Sequence, residues 1–252
     1  MTLVLRDVAD GIAWITLNRP ERMNAITTEL GRQLAQALRV LGSDPAINVI
    51  VVRGAGGNFC AGGDVGEVQT LRARGPQYLR ELFDAFGGVC ELIATIDVPV
   101  IAAVEGVAMA GGFELMQAAD IVLVSDDARI GDSHINFGMV PGGGSSQRLA
   151  RLVGRQIAMG LLLGGDRITG ADAVRLGLAY RSFPSDEFDD AVDEFAATLG
   201  GRSRRAVVTI KQLVRVSQSQ PLPDGLQAEI SAVVAHIAGE DVTDFQRIGS
   251  AQ

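Results

Sequence analysis

Short runs of apolar residues alternate with amphipathic segments along the first 185 residues of the chain. Runs rich in Val and Ile at Ile47–Val52, Pro99–Val104 and Ile121–Val124 predict buried strands, which need apolar residues at consecutive positions. Segments with helical spacing separate these runs. The alternation of strand, helix and strand indicates parallel pairing through right-handed crossovers, and therefore an α/β fold.

The amino-terminal segment has a different pattern. Leu3–Val8 and Ile12–Leu17 flank Asp10-Gly11, and an Asp-Gly pair between two apolar runs is a strong predictor of a β-hairpin. A polar loop follows, and then a helix that Thr27 or Thr28 can cap.

Glycine and proline mark two further breaks in the pattern. The segment Arg72–Pro76 predicts a mobile loop between helices at Val65–Leu71 and Gln77–Thr95. The segment Pro141–Ser146 predicts a flexible turn ahead of a helix that ends at Val153.

From Arg155 onward the pattern is mainly helical, with one β run at Leu178–Phe183. The predicted helices are Gln156–Leu163, Ala171–Leu176, Glu187–Leu199, Arg204–Val216 and Leu226–Ile237. We expect a core over residues 1–185 and a helical region over residues 186–252. Exposed helical tails of this kind often pack on neighbouring subunits, so we also expect an oligomer.

The composition limits the classes of function. Apolar residues make up 47% and charged residues 21% of the 252 residues, which is typical of a globular protein. The net charge of −8 argues against bulk affinity for nucleic acid or anionic lipid, so an anionic small ligand needs a local basic site. Cys60 and Cys90 are too few for a disulfide framework, and we expect both to be buried. We see neither a signal peptide nor a membrane-spanning run, which favours a cytoplasmic protein.

Two glycine-rich turns, each after a predicted buried strand, contain the strongest chemical signal. We call Gly54–Asp64 the first glycine turn and Glu105–Glu114 the second. Glycine lets backbone N–H groups approach a ligand closely, so two such turns can direct two N–H groups at one oxygen. The second turn ends in Glu114, a carboxylate within an apolar segment. This combination indicates an enzyme that stabilises an oxyanion beside an acid/base group.

Two residues, Glu114 and His134, are candidates for acid/base roles. Glu114 is costly to bury unless it is paired, hydrogen-bonded or protonated, although a helix dipole also favours a glutamate in a first turn. His134 is one of two histidines, and an ordinary pKa of about 6.5 suits proton transfer near neutrality, although isolated histidines are more often structural. His236 lies within a predicted helix with no polar cluster, and we interpret it as structural.

Standard motifs for nucleotides and nucleophiles match poorly. No Lys follows the glycines as a P-loop requires, and no Gly-x-Ser-x-Gly elbow is present in the sequence. Gly106–Gly111 nearly matches the dinucleotide-binding fingerprint, with Ala108 at its middle glycine and Asp126 as an acid at weak spacing. This competing hypothesis accounts neither for Glu114 nor for the first glycine turn.

The chain resembles the enoyl-CoA hydratase/isomerase (crotonase) superfamily over nearly its whole length, and five segments that occur in the family's order carry the resemblance. They are Asn18–Ala25, Phe59–Asp64, Pro99–Gly106, Ala110–Leu115 with Ala119–Ile121, and Gly138–Gly144. The resemblance implies a crotonase-like spiral core of ββα units over residues 1–185. It also implies a helical C-terminal trimerisation region over residues 186–252, with trimers that often pair into hexamers.

The resemblance further implies an acyl-CoA substrate, with no metal and no cofactor beyond the CoA of the thioester. In this family two backbone N–H groups form an oxyanion hole around the thioester carbonyl, and the matching positions are Ala61 and Gly111. Arg22 is the expected phosphate contact. The expected CoA-binding residues are Arg22, Asn24, Ala25, Ala61, Gly62, Gly63, Asp64, Gly111, Pro141 and Gly142. We expect the acyl pocket to be walled by Val65–Leu71, Arg72–Pro76 and the C-terminal helices.

One position departs from the family pattern. Family hydratases hold a water between two glutamates, of which the first matches Glu114 and the second falls on His134. One carboxylate can still act as base, and an imidazole can orient the water or supply a proton. The favoured function is water addition to a 2-enoyl-CoA through a stabilised enolate. Double-bond isomerisation, C–C hydrolysis of a β-diketone and non-catalytic acyl-CoA binding are the alternatives.

Overall fold

The computed structural model describes residues 2–239. Contacts divide the chain into two units, one that ends at Gly201 and one that begins at Arg202. None of the helices among these described residues is long and apolar enough to cross a membrane.

The first unit contains all the strands found within residues 2–239 and most of the helices. The strands are β1 (Val4–Ala9), β2 (Ile12–Leu17), β3 (Val49–Gly54), β4 (Val100–Val104), β5 (Val107–Met109), β6 (Ile121–Ser125), β7 (Arg129–Gly131) and β8 (Arg181–Phe183). Its helices are α1 (Thr28–Ser43), α2 (Val65–Arg74), α3 (Pro76–Thr95), α4 (Gly111–Ala118), α5 (Ser145–Val153), α6 (Arg155–Gly164), α7 (Gly170–Arg175) and α8 (Phe188–Gly200). The second unit contains α9 (Arg204–Ser217) and α10 (Leu222–Ile237).

The main sheet has six strands in the order β1-β2-β3-β4-β6-β8. β1 and β2 are antiparallel, and every other neighbouring pair in this sheet is parallel. The predicted hairpin is confirmed, because Asp10 and Gly11 both adopt positive φ values, 50° and 78°, at its turn. β5 and β7 form a separate parallel pair beside the main sheet, and the sequence prediction missed both short strands.

Helix α8 covers an apolar face of the main sheet. Phe188, Val192 and Ala196 of α8 are buried against strand residues such as Val51 and Ile101. α8 therefore packs with the first unit, although it follows residue 185. The expected division into residues 1–185 and 186–252 stays a prediction, and residues 240–252 lie outside the described residues.

The prediction of a mobile loop at Arg72–Pro76 is wrong. α2 continues to Arg74, and α3 begins at Pro76, so only Gly75 separates the two helices. Gly75 has a φ of 123°, which favours glycine, and proline is well suited to the first position of a helix. The Gly-Pro pair thus ends one helix and starts the next without an intervening loop.

Candidate active site

The two glycine turns lie side by side. The Phe59 N–H donates to the Glu105 carbonyl at 2.9 Å, and the Met109 N–H donates to the Cys60 carbonyl at 3.0 Å. A Cβ on Gly112 would lie 2.0 Å from the Cys60 carbonyl oxygen, so only glycine allows this approach. The turns therefore converge, as their glycine content indicates.

The second glycine turn is not a dinucleotide-binding turn. Its residues Val107–Met109 form β5, which pairs with β7, so Gly106–Gly111 does not lead directly from one strand into a helix. The fingerprint requires a single strand-to-helix turn whose N–H groups face a pyrophosphate. The dinucleotide hypothesis therefore fails on the local backbone.

The structure corrects the oxyanion donor expected at Ala61. The Ala61 N–H donates to the Met23 carbonyl at 2.9 Å, so it is not free to bind a substrate oxygen. Ala61 and Gly63, two residues later, both line the same cavity as Gly111. Within residues 2–239, the N–H groups of Gly63 and Gly111 have no hydrogen-bond partner. These two glycines are the better candidates for a pair of donors.

Backbone strain fixes the direction of the Gly111 N–H. Ala110, immediately before α4, has φ 48° and ψ −116°, an unfavourable conformation for a residue with a Cβ. Its N–H donates to the Gly131 carbonyl at 2.9 Å, which connects it to β7. Gly111 is then the first residue of α4, where the helix dipole favours a developing negative charge.

A cavity of about 290 Å³ lies at the point where the glycine turns converge. Gly63, Gly111, Glu114 and His134 all line it. The larger apolar side chains of its wall are Ile26, Val65, Val68, Leu82, Phe83, Phe86, Phe137 and Met139. Val65 and Val68 fall in the expected wall, whereas none of the lining residues comes from Arg72–Pro76. The prediction missed α3, whose periodicity does not show which structure its apolar face covers.

Glu114 is held by main-chain N–H groups in the turn that leads into α5. It is only 2% exposed, and its Oε1 accepts hydrogen bonds from the N–H groups of Gly143 at 2.6 Å and Ser145 at 3.2 Å. Burial raises the pKa of Glu114, against the opposing effects of those N–H groups and of His134. A carboxyl group with a raised pKa is suited to exchange a proton near neutral pH.

Gly143 is a position at the candidate site that sequence reasoning missed. A Cβ there would lie 2.2 Å from the Phe86 ring and 2.9 Å from Glu114 Oε2. Its carbonyl accepts a 2.6 Å hydrogen bond from Arg148, while its N–H binds Glu114. The segment predicted as a flexible turn thus contains a glycine bonded on both sides, and the run of three glycines was the available signal.

His134 is held by a neighbouring carboxylate. Its Nδ1 lies 2.7 Å from Oδ1 of Asp132, whose side chain has no exposed surface, and the His134 side chain itself is 12% exposed. Burial alone would lower the pKa of His134, but the hydrogen bond and charge of Asp132, together with Glu114, raise it above the ordinary value. Proximity in sequence was the only signal for Asp132, which the prediction did not single out.

Comparison with known proteins identifies the family. The family model described as enoyl-CoA hydratase/isomerase matches residues 7–246. The chain belongs to the enoyl-CoA hydratase/isomerase family. The expected family, enzyme class and crotonase-like fold are therefore confirmed.

Individual relatives align with most of this chain and with most of their own length. The chain is 35% identical to the 2,3-dehydroadipyl-CoA hydratase of Escherichia coli, over 90% of this chain and 87% of that protein. It is 32% identical to the mitochondrial enoyl-CoA hydratase of Pongo abelii, over 91% and 78%. The solved structure of an enoyl-CoA hydratase from Bacillus anthracis matches with a TM-score of 0.93 and 27% identity, over 99% and 96%.

Several residues expected at the CoA site have structural hydrogen bonds. The buried Asn24 side chain accepts from the Arg19 N–H and donates to the carbonyls of Ala55 and Asn58, so it ties loops together. The Ala25 carbonyl accepts from the Arg19 guanidinium. The Asn24 contacts attach the Asn18–Ala25 loop to the first glycine turn.

The charged side chains expected at the CoA site, Asp64 and Arg22, have different surroundings. Asp64 caps α2 by accepting from the Glu67 N–H and forms a 3.0 Å ion pair with Arg19. Burial opposes ionisation of Asp64, but these partners outweigh it and lower its pKa. Arg22 is exposed at the end of a short 3-10 turn and does not line the cavity. Its expected role as a phosphate contact stays a prediction.

The remaining glycines and proline differ in their relation to the cavity. Gly62 has φ 101°, and a Cβ there would lie 2.8 Å from the Ala110 Cβ, so it permits the turns to touch. Pro141 and Gly142 do not line the cavity, although a Cβ on Gly142 would contact the Phe83 ring at 2.6 Å. Their expected contact with CoA stays a prediction.

The cysteines are buried, as expected. Cys60 and Cys90 have no exposed surface, and burial raises the pKa of both thiols to about 12. Both are therefore thiols at neutral pH and poor nucleophiles. Within residues 2–239, no group of three or more His, Cys, Asp or Glu side chains is arranged to hold a metal ion.

Proposed function

We propose that this protein adds water to the double bond of a 2-enoyl-CoA. The cavity brings the backbone N–H groups of Gly63 and Gly111, which have no hydrogen-bond partner among residues 2–239, together with Glu114 and His134 on one lining. This juxtaposition is the observation that supports the proposal. Two donors can bind a thioester oxygen, while two acid/base groups serve the neighbouring carbons.

In the proposed step Glu114 accepts a proton as the water oxygen bonds to the β-carbon. The electrons of the double bond move to the thioester oxygen, where the N–H groups of Gly63 and Gly111 stabilise the enolate; one such donor typically contributes about 10²–10³ in rate. The imidazolium of His134 then protonates the α-carbon. Transfer of the proton from Glu114 to His134 restores the starting state.

The role of His134 differs from that of the second glutamate expected from the family pattern. Asp132 favours the imidazolium, so the cavity pairs one anionic base with one cationic acid rather than two carboxyl groups. A cationic acid beside Glu114 stabilises the ionised carboxylate in a buried site. The same pair can serve an isomerase, in which Glu114 and His134 move one proton between carbons.

The acyl group in this proposal is uncharged and apolar. The cavity wall is formed by aliphatic and aromatic side chains, and none of its lining residues is Lys or Arg. The one cation that the proposal places there, the His134 imidazolium, is used in the reaction, so a terminal carboxylate would lose its hydration without a cation of its own, which is costly. We therefore expect hydrocarbon 2-enoyl groups to be used in preference to the carboxylated chain that the name of the Escherichia coli relative indicates.

The proposed assembly is a trimer or a pair of trimers. Supporting residues are exposed apolar side chains of α9 and α10, each half exposed or more: Ile210, Val214, Leu226, Ile230, Val234 and Ile237. Exposed apolar side chains grouped on two neighbouring helices indicate an interaction site. Light scattering on the purified protein is expected to give the mass of three or six chains, and a monomer would contradict the proposal.

A substrate panel tests the function. Purified protein is incubated with 2-enoyl-CoA thioesters of several lengths and with one carboxylate-terminated chain, and products are weighed by mass spectrometry. We expect the mass of water to be added without chain cleavage, with higher kcat/KM for the hydrocarbon chains. Unchanged mass with a shifted double bond would indicate isomerisation, cleavage of a β-diketone thioester would indicate hydrolysis, and binding without reaction would indicate a non-catalytic role.

A further inference from the structure

Asp132 is a buried carboxylate that exchanges no proton with the substrate in the proposed reaction. Its Oδ1 accepts from the His134 ring at 2.7 Å and from the His134 backbone N–H at 3.3 Å. Its Oδ2 is buried and has no hydrogen-bond partner among the described residues. An isolated buried carboxylate is costly, so a nearby cation is the partner that would stabilise it.

The local backbone brings the two side chains together at the cost of strain. Ser133, between them, has φ 56° in the left-handed region, where a residue with a Cβ is disfavoured. His134 then starts a short 3-10 turn, and its carbonyl accepts from the Met139 N–H at 3.0 Å. A strained residue between two side chains in contact indicates that the surrounding structure holds this arrangement.

We propose that Asp132 is a positioning residue for His134: by accepting a hydrogen bond from Nδ1, it leaves Nε2 as the nitrogen that the ring presents to the cavity. The inference rests on the proposed function, in which His134 supplies a proton to the substrate. Asp132 acts on the substrate only through His134. An aspartate in this role holds both the tautomer and the orientation of an imidazole.

The groups around His134 also determine its charge. Asp132 acts from the β7 connection and Glu114 acts from α4, and both are carboxyl groups that favour the imidazolium. α6 packs against the same 3-10 turn, and its only charged residue is Arg155 at its first position. α3 faces the cavity with Leu82, Phe83 and Phe86, which are uncharged. The imidazolium is therefore present below the folded pKa of His134 and is lost as the pH rises through it.

The first test is a titration of the two histidines by nuclear magnetic resonance in ¹⁵N-histidine-labelled native protein. His236 gives an independent second signal, which His236→Gln assigns by its loss. Above its midpoint, His134 is expected to be the Nδ1–H tautomer. In Asp132→Asn the His134 midpoint is expected to fall by about 1–2 pH units, as for loss of an adjacent charge.

The second test is the pH profile of hydration. In Asp132→Asn the high-pH limb of kcat is expected to move to lower pH together with the His134 midpoint, while KM changes little. Asp132→Glu retains a carboxylate and is expected to return the limb toward its native position. Asp127→Asn is the matched control, because Asp127 is an exposed carboxylate on the β6–β7 turn that does not line the cavity, and its profile is expected to match the native one.

Two outcomes would overturn the inference. One is the Nε2–H tautomer of neutral His134 in the native protein, a measurement that needs no variant to fold. The other is a folded Asp132→Asn protein whose His134 midpoint and pH limb are unchanged. Native hydration by His134→Gln would instead refute the proposed proton donor while leaving the titration result intact, so the two failures are distinguishable.

Discussion

Glu114 and His134 line the same cavity but are held by different kinds of groups. Glu114 belongs to a regular helix, is almost fully buried and accepts from two backbone N–H groups. His134 starts a 3-10 turn, is partly exposed and depends on the side chain of Asp132. The main chain thus fixes one acid/base group, and a replaceable carboxylate fixes the other.

Glu114 is therefore positioned by the backbone of the fold, whereas His134 is positioned by a side chain particular to this sequence. The hydrogen bonds to Glu114 come from backbone N–H groups, which every residue except proline supplies, so they depend on the backbone path of the turn rather than on the chemistry of its side chains. At position 143 even a Cβ would contact the Phe86 ring, so added bulk is what disturbs the Glu114 hydrogen bonds. The His134 side requires a particular pair of residues two positions apart. We infer that variation at Asp132 and His134 alters proton transfer while leaving the oxyanion site intact.

The largest expected effect is the loss of activity in Glu114→Gln. The amide still accepts from Gly143 and Ser145 but cannot remove a proton from water, so kcat should fall by about 10³-fold. Burial raises the pKa of Glu114, so the folded protein binds this proton more tightly than the unfolded chain does. The free energy of unfolding therefore falls as the pH rises through the folded pKa of Glu114. Above that pH the variant should be about 1 kcal/mol more stable. Kinetic assays measure the fall in kcat, and urea denaturation measures the gain in the free energy of unfolding. A variant that is less stable than the native protein and keeps native activity would contradict both predictions.

His134→Gln is expected to have the second largest effect. It removes the proton donor but leaves Glu114 and both oxyanion donors in place, so kcat should fall by about 10²-fold with a small change in KM. The high-pH limb assigned to His134 should disappear from the residual activity. His236→Gln provides the control for loss of a histidine outside the cavity, and equal effects of the two substitutions would refute the assignment.

Gly143→Ala should have a smaller effect on rate and a clear effect on stability. The added Cβ would overlap the Phe86 ring, and overpacking of this kind typically costs about 1–3 kcal/mol. Displacement of its N–H from Glu114 should lower kcat about tenfold, because the base loses a hydrogen bond of about 1.5–3 kcal/mol.

Ser145→Ala is the matched substitution for Gly143→Ala. It keeps the second N–H that Glu114 accepts and removes only the hydroxyl that accepts from Gln117. Its kcat should stay close to the native value, measured in the same assay. A loss as large as that of Gly143→Ala would show that the side chains of this turn, rather than its backbone, hold Glu114.

Sequence patterns predicted most of the fold because its elements have strong local signals. The buried runs became β3, β4 and β6, and the Asp10-Gly11 hairpin formed as expected. The short strands β5 and β7 were missed because three residues give too little periodicity, and their pairing depends on contacts between distant segments. Gly75 and Pro76 were misinterpreted because the same residues that break helices also cap them.

The sequence predicted which residues meet at the site, but not which of their atoms have hydrogen-bond partners. Glu114, His134 and Gly111 do line one cavity. Ala61 also lines it, but the sequence could not show that its N–H donates to the Met23 carbonyl, which makes Gly63 the better candidate donor. Asp132 has no distinctive pattern around it, and only the left-handed turn at Ser133 brings its carboxylate to the imidazole.

A crystal structure of the protein with a bound, unreactive acyl-CoA tests the central claim most directly. The thioester oxygen is expected within about 2.7–3.1 Å of the N–H nitrogens of both Gly63 and Gly111, with Glu114 and His134 beside the β- and α-carbons. A thioester oxygen bound to the Ala61 N–H, with the bond to Met23 broken, or one that contacts neither glycine, would contradict the account.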